Sequence, residues 1–293
     1  MSALELARRF VSRSRLPGRY ILAEVAAKLF APPTGVVEAN LGSYRVAFDF
    51  GDLIQRQVYF GLYDQAEIEL LRRILGSGDV FLDLGANVGY YSLIASQIVG
   101  SEGRVHAFEP IGQNARVLTR TIAENGISNI TVNEVAVGAE AGSLDLFVPD
   151  GDIGNSGWAS IVPSERRPRT ITVEMVAIDD YLAAQSVDRV RLVKMDIEGG
   201  ELNALRGMER LLRQADAPDL LCEVNPFLLE KLGLDAGSLG QLLDKRGYLL
   251  YEVGSSGLEA IDPHDEIVRQ INVFGTKDVL RRNDGTEDSR SST

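Results

Sequence analysis

The sequence predicts an α/β protein in which a mostly parallel sheet is covered by helices on both faces. Three observations lead to this fold class. Short apolar runs of strand length alternate with segments of helical periodicity from residue 80 onwards. The first apolar run ends in a glycine-containing turn that opens directly into a helical segment. Hydrophobic residues make up 45% and charged residues 25% of the 293-residue chain, a composition typical of a globular protein with a sizeable core.

The predicted strands and helices alternate along the chain, as they do where helices connect parallel strands through right-handed crossovers. Sheet strands are predicted at residues 80–84, 104–108, 130–135, 191–195, 220–224, 248–253 and 270–275. Helices are predicted between them at residues 88–99, 111–125, 201–213 and 239–246. Two more strands, 144–148 and 170–176, form a β excursion around a Gly-, Ser- and Pro-rich loop, 150–168, whose length is typical of a lid or binding loop. Ligands of such sheets bind outside the carboxyl ends of the strands, so the site is expected there.

Charge, cysteine and histidine content exclude several classes of protein. The chain has 30 basic and 42 acidic residues, and the net charge of −12 repels nucleic acid, so no nucleic-acid partner is expected. The lone Cys222 excludes an intrachain disulfide and fits a reducing compartment, so a cytoplasmic location is expected. His106, inside a strand, is expected to be a core residue. His264 lies in a loop that can reach the expected ligand site. No apolar stretch is long enough for a secretory signal or a membrane-spanning helix.

The two ends of the chain differ in charge from the middle. Residues 1–30 carry a net charge of +4, whereas the rest of the chain carries −16. We expect an N-terminal cap of helical and β structure on the domain, with residues 1–44 as its helical segment. Peripheral membrane contact through residues 1–30 is the alternative that their basic and apolar side chains leave open. A single large domain is expected over residues 45–278. The polar composition of residues 279–293 predicts a disordered tail.

The turn after the first strand, Asp83-Leu-Gly-Ala-Asn-Val-Gly89, combines an acid with two glycines. Glycine in such a turn lets the backbone bend tightly and lets a ligand approach the main chain. The spacing differs from the G-x-G-x-x-G pattern of proteins that bind dinucleotides through their pyrophosphate. An acid at Asp83 suits a ligand that carries an ammonium group.

Glu109 ends the second strand, where a carboxylate can accept hydrogen bonds from both hydroxyls of a ribose. Together with the glycine turn, it describes an adenosine ligand without a diphosphate and with a positively charged amino-acid tail, and S-adenosylmethionine fits that description. A nicotinamide-dependent oxidoreductase is the first alternative, although it should have the diphosphate type of glycine spacing. A non-catalytic binding module with the same fold is the second.

A polar segment, Lys194-Met-Asp-Ile-Glu198, lies at the end of the strand 191–195, beside the expected pocket. Because side chains alternate along a strand, Lys194 and Asp196 point to one side. A carboxylate there can act as a general base, and the alternative is Mg²⁺ held by oxygen ligands. Asp196 serves in either scheme, and Lys194 and Glu198 complete the candidate catalytic group.

Three further residues are candidate contacts of the acceptor. Glu223 and Asn225 lie at the end of the strand 220–224. Trp158 lies on the Gly- and Ser-rich loop, where an aromatic face suits a sugar or another flat acceptor. Under the metal scheme, Asp196 and Glu223 are the candidate Mg²⁺ ligands. The sequence is also compatible with a homodimer, in which a second copy of the chain is the partner.

Three motifs resemble the signature of the FkbM-type methyltransferases, which are S-adenosylmethionine-dependent O-methyltransferases. They are Phe81-Leu-Asp-Leu-Gly-Ala-Asn-Val-Gly-Tyr-Tyr-Ser92, Phe108-Glu-Pro110 and Lys194-Met-Asp-Ile-Glu-Gly-Gly-Glu201. The resemblance covers residues 45–275. It implies a Rossmann-like class I methyltransferase sheet of seven strands, six parallel and one antiparallel, with residues 270–275 as the reversed strand.

The same resemblance implies roles for individual residues. Glu109 would accept the ribose, Pro110 would orient the adenine site, and Ala136 would form the wall beside adenine. The full set of implied cofactor-binding residues is Asp83, Gly85, Ala86, Asn87, Gly89, Glu109, Pro110, Ala136 and Asp196. The implied acceptor is a hydroxyl group on a sugar, a glycolipid or another lipid-linked compound, or a natural product.

Overall fold

The computed structural model describes residues 2–14, 18–149, 159–235 and 237–278. Trp158 and the predicted tail, residues 279–293, lie outside the described residues. In the part of the chain that is described, no helix combines the length and the apolar character needed to cross a bilayer.

Strands and helices alternate along most of the described chain. The strands are β1 (Val36–Leu41), β2 (Tyr44–Asp49), β3 (Val80–Leu84), β4 (Arg104–Phe108), β5 (Ile130–Asn133), β6 (Ala136–Val137), β7 (Gly142–Val148), β8 (Arg169–Val176), β9 (Leu192–Met195), β10 (Asp219–Val224), β11 (Leu249–Gly254), β12 (Gly257–Ile261) and β13 (Ile271–Thr276). The helices are α1 (Ala3–Arg13), α2 (Arg19–Phe30), α3 (Leu53–Phe60), α4 (Gln65–Ile74), α5 (Tyr90–Val99), α6 (Gly112–Asn125), α7 (Ile178–Gln185), α8 (Glu201–Arg206), α9 (Glu209–Leu212), α10 (Pro226–Lys231) and α11 (Gly237–Asp244).

The main sheet has eight strands in the order β12-β11-β13-β10-β9-β3-β4-β5. The expected α/β sheet with a reversed strand is present, because β13 pairs antiparallel with both β10 and β11. The expected number of seven strands is wrong by one. Ser255 and Ser256 form a tight turn after β11, and the chain returns as β12, antiparallel to β11 at the sheet edge. Six strands are therefore parallel, and two run against them.

The central strands are buried because helices cover both faces of the sheet. Successive side chains alternate between the faces. Leu82 and Val193 pack with Leu205, on the side of α8. Phe81 and Leu192 pack on the opposite side, in the cluster that includes α4 and α5. The strand ends are thus held rigidly from both sides, which fixes the turns that follow them.

The N-terminal residues 2–14 and 18–62, here called the N-terminal unit, pack around a core of their own. The helix α1 begins with a capping box between Ser2 and Glu5. Aromatic side chains of the hairpin and of α3 form edge-to-face contacts in this core, among them Phe48, Phe50 and Tyr59. The hairpin β1-β2 spans residue 44, where the sequence suggested a boundary, so the cap is helical and β together.

The β excursion forms a separate three-stranded sheet in the order β6-β8-β7. The chain returns from the undescribed residues at 159, and Ser160 pairs with Phe147 of β7. The hydroxyl of Ser160 donates a hydrogen bond to the carbonyl oxygen of Glu198, 2.8 Å away. The end of the long loop therefore rests on the polar segment that follows β9.

Two helices differ from the sequence expectation for local reasons. The helix α5 begins at Tyr90 rather than at residue 88, because Asn87 and Gly89 have φ values of 52° and 92°. The helix predicted over residues 201–213 is divided into α8 and α9 near Gly207. The carbonyl oxygen of Gly207 accepts the N–H of Asp179, and the carboxylate of Asp179 accepts the N–H groups of Arg210 and Leu211, so α9 begins anew at this point.

Candidate active site

A cavity of about 250 Å³ opens at the carboxyl ends of β3, β4, β9 and β10. Its lining includes the residues that follow these strands, among them Gly85, Glu109, Asp196 and Glu223. This is the expected place for a ligand in a sheet of this topology. Most of the predicted site residues are therefore brought to one cavity.

The glycine turn fits closely against the end of β9. Gly85 has a φ of +82°, and a Cβ atom there would collide with the carbonyl oxygen of Asp196. Ala86 and Asn87 line the cavity directly, and the buried Oδ1 atom of Asn87 has no hydrogen-bond partner among the described residues. Gly89 lies behind the cavity, where a Cβ atom would collide with Leu118 of α6. Gly89 thus serves helix packing in this structure.

Asp83 lies behind the cavity wall and not at the cavity surface where a ligand ammonium group was expected. Its side chain is fully buried, and Ser92 donates a hydrogen bond of 2.6 Å to Oδ2. Burial raises the pKa of Asp83, while the positive charge of Lys194 lowers it. Asp83 therefore acts electrostatically on Lys194.

Glu109 is held in one orientation by the backbone around it. Its Oε2 accepts a hydrogen bond of 2.8 Å from the N–H of Asn87, and its Oε1 accepts one of 2.9 Å from the N–H of Ile111. The amide of Asn114 donates a longer bond of 3.3 Å to Oε1. Burial raises the pKa of Glu109 to about 7, although these donors stabilise the charged form. Oε2 accepts one hydrogen bond and therefore keeps a second lone pair for a ligand hydroxyl, whereas Oε1 already accepts two.

The residues after β4 and β5 form an apolar part of the cavity beside Glu109. Pro110 and Ile111 lie on one side, and Val135, Ala136 and Val137 also contribute to the lining. The predicted adenine wall residues, Pro110 and Ala136, therefore lie in the same cavity as Glu109. Such a surface suits a flat aromatic base.

Three carboxyl groups converge at the opposite part of the lining. Asp196, Glu198 and Glu223 each offer an oxygen atom, and these atoms lie within 4.8 Å of one another. Burial and the neighbouring Asp196 carboxylate raise the pKa of Glu198 to about 7, and the same two causes raise the pKa of Glu223. Gln270 of the loop before β13 donates a 2.7 Å hydrogen bond to Glu223. We call Asp196, Glu198 and Glu223 the acid cluster.

Lys194 is the buried cation next to the acid cluster. Its Nζ lies 3.2 Å from Oδ2 of Asp196 and 4.6 Å from the centre of the Tyr91 ring. Burial lowers the pKa of Lys194, but the charges of Asp196, Asp83 and Asp64 outweigh this effect and raise it above its ordinary value. Lys194 is therefore positively charged at neutral pH.

Asp64 and Tyr91 are site residues that the sequence reasoning did not assign. The hydroxyl of Tyr91 donates a 2.8 Å hydrogen bond to Oδ2 of Asp64, and burial raises the pKa of Asp64 to about 6. Asp64 lies in the segment 61–67, which resembles the segment with a tyrosine and an acid that precedes the first sheet strand in FkbM-type methyltransferases. That resemblance assigned no role in the site to Asp64.

The N-terminal unit supplies an apolar wall that the sequence reasoning also missed. Val46, Phe48, Ile54 and Val58 line the cavity from the hairpin and from α3. Alternation along the strand β2 gives it one apolar face, but periodicity does not reveal what that face covers. The cap therefore takes part in the site.

The remaining predicted residues lie at the margin of the site or away from it. The side-chain amide of Asn225, at the start of α10, donates a 3.4 Å hydrogen bond to Gln270, and the cavity lining does not include Asn225. His106 is buried and its Nδ1 lies 2.8 Å from the Tyr181 hydroxyl, so the expected core role is confirmed. The side chain of His264 is 68% exposed and lies outside the cavity lining.

The raised pKa of Glu198 gives a pH dependence that can be measured. The folded value of about 7 exceeds the unfolded value of 4.5, so the folded state binds this proton more tightly. The bound proton stabilises the folded state relative to the unfolded state by roughly 3 kcal/mol. This contribution is complete below pH 4.5 and is lost as the pH rises through 7. Replacing Glu198 by Gln keeps this position neutral at every pH. Between about pH 5 and pH 8 we therefore expect the melting temperature of the ligand-free variant to fall less than that of the ligand-free wild type.

The control for this prediction is Glu230→Gln, which removes an exposed carboxyl group from α10. The control should retain the pH dependence of the wild type. A Glu198→Gln curve parallel to that of the wild type would contradict the buried, uncharged state of this group.

Comparison with known proteins gives the family of the chain. The sequence model of the Methyltransferase FkbM domain matches residues 83–250, more than half of the chain. Hexuronic acid methyltransferase AglP of Haloferax volcanii is 26% identical over 153 residues, which are 52% of this chain and 59% of that protein. This match therefore spans less than two thirds of the relative. The 31-O-demethyl-FK506 methyltransferase FkbM of Streptomyces tacrolimicus is 26% identical over 237 residues, which are 72% of this chain and 84% of that protein.

Among solved structures, a SAM dependent methyltransferase from Aquifex aeolicus gives a TM-score of 0.40 at 16% identity, over 72% of this chain and 88% of that chain. The family assignment does not depend on this similarity. The matched residues 83–250 contain the glycine turn, Glu109 and the acid cluster. The chain belongs to the FkbM methyltransferase domain family.

Proposed function

We propose that this protein is an S-adenosylmethionine-dependent O-methyltransferase that acts on a hydroxyl group of a small-molecule acceptor. The observation that carries this proposal is one cavity with two chemically different parts. Glu109 and the glycine turn form a nucleoside-type part, and the acid cluster forms a part that can accept a proton. Methyl transfer to oxygen requires both.

The residues present fit the cofactor. Glu109 holds a fixed carboxylate whose Oε2 has a second lone pair for a ligand, and the buried Oδ1 atom of Asn87 lacks a partner among the described residues. The glycine at position 85 keeps the turn against β9 free of a side chain. Bound there, S-adenosylmethionine supplies a methyl group activated by a positively charged sulfur. Glu109 would hold its ribose, and Pro110 and Ala136 would lie beside its base.

The acid cluster gives the protein two means of promoting methyl transfer. Its negative charge favours a cationic methyl donor nearby. Asp196, whose side chain is partly exposed to the cavity, takes the proton that the acceptor hydroxyl loses when its oxygen forms the new bond to carbon. Lys194 pairs with Asp196 and orients it. Glu223 and Glu198 share the excess negative charge and can carry the proton further.

Lys194 favours the general-base scheme over the Mg²⁺ scheme. The ammonium group already lies 3.2 Å from Asp196, and it would repel a divalent ion bound to the same carboxylate. The raised pKa values of Glu198 and Glu223 describe carboxyl groups that share protons. We therefore propose a metal-independent reaction with Asp196 as the base.

The cavity lining supports an acceptor that combines a hydroxyl group with an apolar part. The acid cluster would face the hydroxyl, while Val46, Phe48 and Val58 of the N-terminal unit offer apolar surface in the same cavity. Glycolipids, other lipid-linked sugars and natural products have this character. One relative is named as a methyltransferase of a hexuronic acid and the other as a methyltransferase of 31-O-demethyl-FK506. These names support an acceptor that contains oxygen.

Differential scanning fluorimetry tests the proposed function. S-adenosylhomocysteine, the demethylated product, is expected to raise the melting temperature in proportion to its concentration, whereas NADH is expected to have no effect. Stabilisation by NADH alone would instead support the nicotinamide-dependent oxidoreductase. Stabilisation by S-adenosylhomocysteine without methyl transfer to any member of a hydroxyl-acceptor panel would support the non-catalytic binding module.

A further inference from the structure

The two N-terminal helices expose an unusual amount of apolar surface. Ile21 and Leu29 of α2 are each 68% exposed, and Phe10 of α1 is 58% exposed. The exposed large hydrophobic residues of this surface are Leu6, Phe10, Tyr20, Ile21, Leu22, Val25, Leu29 and Phe30. Most of the large hydrophobic side chains that are exposed in the described part of the chain lie here. We call this surface the outer helix face.

The outer helix face is a continuous stripe on α2. Ile21, Leu22, Val25 and Leu29 are spaced by helical turns, so they project from one side of the helix. The opposite side, which includes Ala23, Ala26 and Ala27, is buried against the N-terminal unit. The stripe therefore contributes nothing to the internal core.

The structure corrects which residues of α1 are available to a membrane. Leu4 and Val11 are buried in the core of the N-terminal unit. Leu6 and Phe10, one helical turn apart, remain exposed on the other side of α1. The apolar side chains of α1 are therefore divided between the core of the N-terminal unit and the exposed surface.

Basic side chains accompany the apolar ones. Arg9 and Arg13 of α1 and Lys28 of α2 are exposed, and no ion pair of the described residues involves any of them. The first 30 residues carry +4, although the chain as a whole carries −12. The exposed apolar surface thus lies in a positive field on an otherwise acidic protein.

This combination of charge and apolar surface selects one kind of partner. Two copies that joined their outer helix faces symmetrically would bring like charges together, because Arg9, Arg13 and Lys28 would meet the same residues of the other copy. An anionic lipid bilayer offers negative headgroups for the basic side chains and an acyl boundary for the apolar ones. Both properties of the surface are then satisfied at once.

We propose that the outer helix face docks the protein on an anionic lipid bilayer. The helices α1 and α2 lie along the headgroup region, with Ile21, Val25 and Leu29 inserted and with Arg9, Arg13 and Lys28 among the headgroups. The inference concerns the surface of the N-terminal unit, and it holds or fails independently of methyl transfer.

Vesicle co-sedimentation of the full chain tests this proposal. The protein is expected to bind vesicles of phosphatidylcholine with phosphatidylserine, to bind phosphatidylcholine alone weakly, and to be released by high salt. The triple variant Arg9→Gln, Arg13→Gln, Lys28→Gln should lose about a hundredfold in vesicle affinity, since each cation near the surface contributes about fivefold. The double variant Ile21→Gln, Leu29→Gln should lose about tenfold or more.

The matched control is Val268→Gln, which removes an equally exposed side chain, 69% exposed, outside the outer helix face. It should bind vesicles like the wild type, and all variants should keep the wild-type circular dichroism spectrum. Absence of binding to the anionic vesicles, or binding that survives both multiple variants, would overturn the proposal. A concentration-dependent dimer in analytical ultracentrifugation that Ile21→Gln, Leu29→Gln dissociates, without vesicle binding, would assign the surface to a second copy.

Discussion

Replacing Asp196 with asparagine is expected to lower the rate of methyl transfer about 10²- to 10⁴-fold, because an amide cannot take the proton of the acceptor hydroxyl. The shape of the side chain is kept, and Lys194 still finds an oxygen to pair with. Affinity for S-adenosylhomocysteine should be almost unchanged, because Glu109 and the glycine turn are untouched. Single-turnover kinetics and calorimetry separate the two effects.

The matched control for this variant is Asp216→Asn, whose carboxylate is 60% exposed and pairs with Arg189 outside the cavity. Full activity of Asp196→Asn would remove the general-base role. The same assay with a chelator distinguishes the two schemes for proton removal. We expect activity to survive EDTA, whereas a loss that Mg²⁺ restores would assign the acid cluster to a metal ion.

Replacing Glu109 with glutamine is expected to weaken the binding of S-adenosylhomocysteine about 100-fold. One carboxylate oxygen accepts the N–H of Asn87 and the other accepts the N–H of Ile111. Glutamine has only one acceptor oxygen, so its amide NH₂ must face one of these buried donors, and that unsatisfied donor lowers the stability of the fold by about 1–3 kcal/mol. The fall in affinity comes from the ribose contact, because a hydrogen bond to a charged carboxylate contributes about 1.5–3 kcal/mol. Isothermal titration calorimetry measures the affinity directly.

The rate constant at saturating methyl donor should change much less than the affinity, because Glu109 is proposed to bind the ribose and takes no part in removing the proton of the acceptor. Glu102→Gln is the matched control, since it removes an exposed carboxyl group from the loop before β4. Unaltered affinity in Glu109→Gln would mean that the ligand does not use the end of β4.

The parts of this fold that follow local rules could be predicted from the sequence. The strands around Phe81 and Leu192 consist mostly of apolar residues, as is typical of buried parallel strands. The turn that starts at Asp83 and the acid Glu109 follow adjacent strands, so their side chains were expected at one edge of the sheet. The family resemblance then supplied the reversed strand, which periodicity alone does not predict.

Other parts depend on packing between distant segments, which periodicity does not encode. The strand β12 exists because a two-residue turn returns the chain along β11. Asp83 was expected to meet a ligand, but its side chain is fully buried, accepts a hydrogen bond from Ser92 and does not line the cavity. The apolar wall at Phe48 belongs to the cap, and only the folded chain brings it to the cavity.

A crystal structure of the protein with S-adenosylhomocysteine tests whether the nucleoside-type part of the cavity and the acid cluster serve one reaction. We expect the ribose hydroxyls to contact Glu109, the base to lie between Ile111 and Ala136, and the sulfur to face the acid cluster. A product molecule bound elsewhere, or one whose sulfur points away from Asp196, would contradict this expectation.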